Sequence, residues 1–234
     1  METHILREWT LPLTVDLILA GQGADPEIIR QRRPQLVALA ERALAEAPTL
    51  LHPQVAYRRV EVVSADDDRL TLAAGVTLTA PPLVQQLGAA QQVILLAVTI
   101  GRDLEPRIAA LMDADPAYAL ALDGLGTVAV DALYRAAYRR FEQEATARGQ
   151  RLSRPLSPGM IGWPVDVGQQ WLFSHLDPSA IDIRVLPSGQ MEPRKSCSAL
   201  IGVGREVEPY EGRPCPTCPM HATCTYQQRH RLHT

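Results

Sequence analysis

The chain has 234 residues, of which 46% are hydrophobic and 21% charged, with a formal net charge of −3. This composition is ordinary for a globular protein, and it lacks the basic balance that nucleic-acid binding favours. No apolar run approaches the roughly 18–20 residues of a membrane-spanning helix, so neither nucleic acid nor membrane is a predicted partner. Because the chain shows no secretory signal pattern, we expect a cytoplasmic protein with reduced thiols.

The first hundred residues are predicted to form a helical segment followed by strands. An Asp-Pro pair at 25–26 is typical of a helix start, and the helix should continue to about Ala47 with a break near Pro34. A polar acidic turn then separates the β-rich stretches. Strands are predicted at 55–63, 70–73, 76–79 and 93–100, the last of them buried.

The middle of the chain is predicted to be helical. A short helix should run from Asp103 to about Met112, and the longest from Asp115 to about Arg148, where Gly149 ends it. Apolar residues of the long helix recur at steps of three and four, which predicts a stripe facing the core. The stripe residues are Leu122, Leu125, Ala129, Leu133 and Ala136.

Beyond the long helix the sequence becomes rich in proline, serine and glycine. It predicts one further helix at 167–176 and strands at 181–186 and 198–203. Because predicted strands and helices do not alternate regularly along the chain, the sequence favours an α+β fold over a doubly wound α/β fold.

Three of the four cysteines form a C-x2-C-x5-C motif near the C-terminus, which is typical of thiolates around one metal centre. Disulfides are the competing interpretation, but three clustered thiols leave one unpaired. Surface thiols without a function are the other alternative. The predicted metal ligands are Cys215, Cys218 and Cys224, completed by Cys197 or, alternatively, by His221.

Two loops of the second half carry groups suited to ligand binding. In the first, at 154–164, a Pro-Gly turn exposes backbone amides, and the Arg154 guanidinium can pair with a carboxylate. The second, at 188–199, offers hydroxyls, a thiol and Lys195, the only lysine in the chain. We predict that the two loops lie side by side as a polar ligand-binding edge, with ordinary turns as the alternative.

The same segments resemble the activation domain of vitamin B12-dependent methionine synthase, and in particular short free-standing members of that family. The resemblance covers roughly residues 85–205. It is carried by Thr99-Ile100-Gly101, Asp131, Ser157-Pro158-Gly159, Trp163-Pro164, Gln169 and the pattern Met191-x-Pro193-x-Lys195-Ser196-x-Ser198. Two departures stand out: Arg154 lies five residues before Gly159 where the family has four, and Met160 replaces a tyrosine.

The resemblance implies an α+β fold with a twisted antiparallel sheet flanked by helices, shaped to cover a corrinoid that a partner holds. It also implies binding of S-adenosylmethionine. The implied organisation is an N-terminal α+β portion at 1–85, an activation-domain-like core at 86–208 and a cysteine-rich metal-binding tail at 209–234. The implied cofactor-binding residues are Arg154, Ser157, Pro158, Gly159, Met160, Lys195, Ser196 and Ser198.

The function implied is that of an accessory protein that reductively reactivates a cobalamin-dependent methyltransferase such as methionine synthase. An iron–sulfur cluster in the tail would act as one-electron donor, because thiolate-ligated clusters cover low potentials. Zinc is the alternative metal, since short cysteine turns also build tetrahedral structural sites. The alternative function is a non-catalytic module that binds or senses a corrinoid or S-adenosylmethionine and holds a structural zinc.

Overall fold

A computed structural model gives the structure of the protein and describes residues 2–160 and 162–210. These residues form seven α-helices, nine strands and two 3₁₀ helices. The α-helices are α1 (Val15–Gly21), α2 (Pro26–Arg32), α3 (Pro34–Leu50), α4 (Pro81–Leu87), α5 (Leu104–Leu111), α6 (Pro116–Thr146) and α7 (Val165–Phe173). The strands are β1 (His4–Leu6), β2 (Gln54–Ala65), β3 (Leu70–Leu72), β4 (Val76–Leu78), β5 (Gln92–Thr99), β6 (Arg151–Leu152), β7 (Arg184–Val185), β8 (Met191–Glu192) and β9 (Ser196–Gly204). The 3₁₀ helices are Ala73–Gly75 and Pro178–Ile181.

The main sheet is antiparallel and has the strand order β4-β3-β2-β5-β9-β6, with β1 paired to β2. The long strand β2 pairs with β5 over residues 54–61 and with β3 over its last residues. A register shift between Val62 and Ser64 separates these two parts, and such a bulge bends a strand. The sheet therefore curls, and it joins strands from both sides of residue 85.

Strand β5 contributes to two hydrophobic cores, because side chains alternate between the faces of a strand. One set packs with α1, α3 and α6, and the other packs with α4 and α7. The first set is Ile94, Leu96 and Val98, and the second is Val93, Leu95 and Ala97. Burial on both faces explains why this strand is a continuous apolar run in the sequence.

Helix α6 is the long helix that the sequence predicts. Asp115 caps its start by accepting a hydrogen bond from the N–H of Tyr118 at 3.2 Å. The first four stripe residues are fully buried. The prediction for Ala136 is wrong, since this residue is only partly buried and Ala137 is buried in its place. Ala137 lies four residues after Leu133, and this spacing keeps it on the face of the helix that packs on the core.

The prediction of a strand at 181–186 is correct only for Arg184–Val185, which form β7. Asp177 instead caps the second 3₁₀ helix by accepting a hydrogen bond from the N–H of Ser179 at 2.9 Å. Asp182 then adopts a left-handed conformation with φ 58°, which ends that helix and interrupts an extended chain. The capping Asp177 and the left-handed Asp182 therefore favour a 3₁₀ helix here, although the apolar composition of the segment favours a strand.

Two short helices were not predicted from the sequence. Helix α1 begins immediately after Thr14, whose hydroxyl accepts a hydrogen bond from the N–H of Leu17 at 3.2 Å. Helix α4 has prolines in its first turn, where a missing N–H does no harm. The break near Pro34 is confirmed, because α2 and α3 are separate helices there. Among the described residues, no helix combines the length and apolar character needed to cross a membrane.

Candidate ligand-binding site

The two predicted ligand loops meet at the middle of α6. Tyr134 lies on this helix and is partly buried, and the side chain of Ser157 in the first loop lowers the pKa of its phenol. Cys197, at the start of β9, packs against the same hydrophobic core as Tyr134. Tyr134 therefore lies near residues from two segments that are far apart in sequence, and it was not among the residues predicted for the site.

The charged groups near Tyr134 form an ion pair, and its other neighbours are neutral. Burial raises the pKa of the Tyr134 phenol, and the side chain of Ser157 offsets part of that rise. Burial and then the Asp131 carboxylate raise the pKa of the Cys197 thiol to about 11. Asp131 itself is exposed and accepts a hydrogen bond from Arg135 at 2.8 Å. The site thus offers neutral hydrogen-bonding groups and the Asp131–Arg135 ion pair.

Backbone hydrogen bonds close the first loop into a compact turn. The N–H of Gly159 donates to the carbonyl of Trp163 at 2.8 Å, and the N–H of Trp163 donates to the carbonyl of Met160 at 2.9 Å. The N–H of Ser157 donates to the Met160 sulfur at 3.2 Å. Gly159 has φ 97°, a left-handed conformation that favours glycine. The turn is therefore fixed by its own contacts, with the Met160 sulfur directed back to the chain.

Two of the three hydroxyls predicted to bind a cofactor, those of Ser196 and Ser198, are buried and already bonded. The Ser196 hydroxyl donates to the Pro193 carbonyl at 2.7 Å and lies 3.0 Å from the Thr99 hydroxyl. The Ser198 hydroxyl donates to the Gln169 side chain of α7 at 2.9 Å, and Gln169 is itself buried. In this structure both hydroxyls hold β9 against its neighbours.

The structure places the two predicted cations against different helices. Arg154 donates through Nε to the side-chain oxygen of Gln86 on α4. The Lys195 ammonium instead forms an ion pair with Asp123 at 2.7 Å and a hydrogen bond with Thr127 at 2.9 Å, both on α6. Each cation has its own partners, so the structure does not gather them into one cluster.

Of the predicted metal ligands, only Cys197 lies in the described part of the chain. Cys215, Cys218, Cys224 and His221 lie outside it. Within residues 2–160 and 162–210, no group of three or more His, Cys, Asp and Glu side chains could hold a metal ion. The described chain ends at Tyr210, whose ring lies edge-on to that of Tyr138 on α6, with centroids 5.7 Å apart. The last described residue therefore lies against α6.

An apolar surface borders the first loop and was also missed by sequence reasoning. Val165 and Val167, in the first turn of α7, are 44% and 54% exposed. The loop lies directly beside them, because a Cβ atom added to Gly159 would be 3.0 Å from Val165. Val167 was predicted to lie at the start of the helix at 167–176, but the exposure of both valines was not predicted. Polar groups and an apolar rim thus occur together at this edge.

The curled antiparallel sheet with helices on both faces is the fold of methionine synthase reactivation domains, which confirms the predicted α+β class. A solved structure of the MetH reactivation domain bound to AdoHcy is similar to this chain, with a TM-score of 0.60 and 12% sequence identity. The similarity covers 90% of this chain and 81% of the MetH chain. No protein-family model and no curated protein matches the sequence. At this identity the similarity shows a shared fold.

Proposed function

We propose that this protein binds S-adenosylmethionine at the site around Tyr134 and assists the reductive reactivation of a corrinoid-dependent methyltransferase such as methionine synthase. The observation that carries the proposal is the fold, which extends over 90% of the chain and matches a reactivation domain that binds AdoHcy. The residues around Tyr134 add chemical support, since they come from the two loops that resemble that family.

The charges at this site suit the chemistry of S-adenosylmethionine, which carries a sulfonium cation, an amino group and a carboxylate. The exposed Asp131 carboxylate would face the positive part of the ligand. Arg154, oriented by its bond to Gln86, is the candidate for the carboxylate, because a guanidinium can donate two parallel hydrogen bonds to it. The glycine turn at Gly159 would let the ligand approach the backbone closely.

The partner in this proposal is the protein that holds the corrinoid. The exposed side chains of Val165 and Val167 border the first loop, and exposed apolar surface next to polar groups is typical of contact sites. We infer that this rim contacts the corrinoid-binding protein while S-adenosylmethionine occupies the neighbouring polar edge.

The cysteine motif fits an iron–sulfur cluster, with zinc as the alternative occupant. When bound, a cluster would supply one electron at low potential. Cys197 is proposed as the fourth ligand because all-thiolate ligation is the common case for clusters, and because Cys197 and Tyr210, the last described residue, pack against the same hydrophobic core.

The test is anaerobic purification of the full chain followed by measurement of iron, sulfide, zinc and S-adenosylmethionine binding. We expect iron with sulfide, and saturable binding that weakens in Arg154→Ala but not in Arg151→Ala, an exposed arginine on β6. Zinc without iron, together with S-adenosylmethionine or cobalamin binding, would favour the non-catalytic sensor. Absence of binding to S-adenosylmethionine, cobalamin and a corrinoid protein would contradict both functions.

A further inference from the structure

A cleft of about 760 Å³ opens between α5, the first half of α6 and the segment 192–195. This volume lies within the range of small-molecule sites. One wall is apolar and consists of Pro106, Ile108, Ala109 and Met112. Met112 is 54% exposed, which leaves its thioether available to a ligand. Of the residues that the sequence predicted for cofactor binding, Lys195 alone lines this cleft.

The carboxylates of the cleft are all engaged. Glu105 accepts hydrogen bonds from the backbone N–H groups of Arg194 and Lys195, the latter at 3.3 Å. Asp123 pairs with the Lys195 ammonium at 2.7 Å. Glu192 pairs with Arg184. The acidic groups therefore hold the segment 192–195 in place.

The arginines of the cleft keep positive charge available. Arg102 donates through Nε and Nη2 to the backbone carbonyl of Asp182, at 3.0 and 2.7 Å, and a neutral acceptor leaves its charge uncompensated. The side chain of Arg194 is exposed and has no hydrogen-bond or ion-pair partner among the described residues. The lining holds three cations, Arg102, Arg194 and Lys195, against three carboxylates. Of these cations only Lys195 pairs with a carboxylate among the described residues, which leaves two guanidinium groups for an incoming anion.

We propose that this cleft is a binding site for a small organic anion, in which a carboxylate or phosphate is joined to an apolar body. Arg194 holds the anionic group, because a guanidinium fork matches the oxygens of carboxylate and phosphate. The apolar body lies against Met112 and its neighbours. The site is separate from the one around Tyr134, since neither Arg154 nor any residue of the first loop lines the cleft.

The probe experiment uses the full chain with ¹³C-methyl-labelled methionine and reads the Met112 resonance, assigned with Met112→Leu among five methionines. We would titrate phenyl phosphate, benzoate, inorganic phosphate and benzyl alcohol. A saturable shift with phenyl phosphate or benzoate is expected, and the tighter of the two identifies the anionic group. Inorganic phosphate and benzyl alcohol should bind more weakly, because each lacks one half of the proposed ligand.

Arg194→Gln keeps the backbone N–H that bonds Glu105 and should weaken binding about tenfold or more, the effect expected for a lost charge-assisted hydrogen bond. The matched control is Arg205→Gln, an exposed arginine after β9, which should bind as the wild type does. Unchanged binding in Arg194→Gln overturns the proposal, as does the absence of a Met112 shift with either aromatic anion. S-Adenosylmethionine binding should be unaffected by Arg194→Gln, so failure here is distinguishable from failure of the proposed function.

Discussion

The two halves of α6 hold the start of β9 by different chemistry. In the first half, Asp123 and Thr127 bind the charged end of Lys195. In the second half, Tyr134 and the Cys197 thiol of β9 pack against one hydrophobic core, and burial raises the pKa of both groups. One helix thus borders a cleft lined by charged side chains at one end and an edge with neutral buried groups at the other, and this contrast separates the two proposed ligand sites.

The two halves of α6 also differ in how much their contacts should contribute to the free energy of unfolding. The Asp123 side chain is 49% exposed, and ion pairs in contact with solvent contribute only about 0–1 kcal/mol. The Ser198–Gln169 bond is buried, so losing one partner leaves a polar group without water or protein to bond. We therefore expect substitutions near Lys195 to change ligand binding more than stability, and substitutions near Ser198 to do the reverse.

The largest expected effect concerns the cysteine motif that follows α6 and Tyr210. Replacing any one of Cys215, Cys218 or Cys224 by serine should remove most of the bound iron or zinc, because each thiolate is a proposed ligand. Metal analysis after anaerobic purification measures this. Full metal content in all three variants would contradict the proposed centre.

A second effect compares two neighbouring glycines of α6. In Gly124→Ala the new Cβ would lie 2.8 Å from the backbone oxygen of Ile18 on α1, which cannot move cheaply. We expect a loss of about 1–3 kcal/mol in the free energy of unfolding, as for other overpacked cores. In Gly126→Ala the new Cβ meets the ends of Leu104 and Lys195, which can shift. Chemical denaturation should rank Gly126→Ala as the more stable variant, and the opposite order would refute this packing argument.

A third effect tests the buried bond between β9 and α7. Ser198→Ala leaves the Gln169 oxygen without its donor, which should cost about 1–3 kcal/mol of unfolding free energy. Ser64→Ala, an exposed serine on β2, is the control and should be near neutral. Equal midpoints of urea denaturation for the two variants would show that the Ser198 bond contributes nothing.

The smallest expected effect is at Lys195. Asp123→Asn removes the ion pair but keeps a hydrogen-bond acceptor, so stability should change by less than about 1 kcal/mol. Binding of the aromatic anion in the cleft should strengthen, because one negative charge is removed from its lining. A large loss of stability would mean that this pair supports the fold.

The sequence predicted those elements whose signals are local. The apolar run of β5 and the stripe of α6 reflect burial that each element shows by itself. Helix α1 and the turn at Asp182 depend on a cap and on a left-handed residue, which composition does not reveal. For the site, Ser157 was predicted as a cofactor-binding residue and Cys197 as a metal ligand. Tyr134 was not predicted, because only the packing of α6 and β9 on one core brings it near them.

The most direct test of the central proposal is equilibrium dialysis of labelled S-adenosylmethionine against the full chain and three variants. We predict saturable binding to the wild type, weaker binding in Arg154→Ala and Tyr134→Phe, and unchanged binding in Arg194→Gln. Tyr134→Phe removes the phenol hydroxyl, whose pKa the Ser157 side chain lowers, while keeping the ring. Absence of saturable binding to the wild type, or equal binding in all four proteins, would contradict an S-adenosylmethionine site around Tyr134.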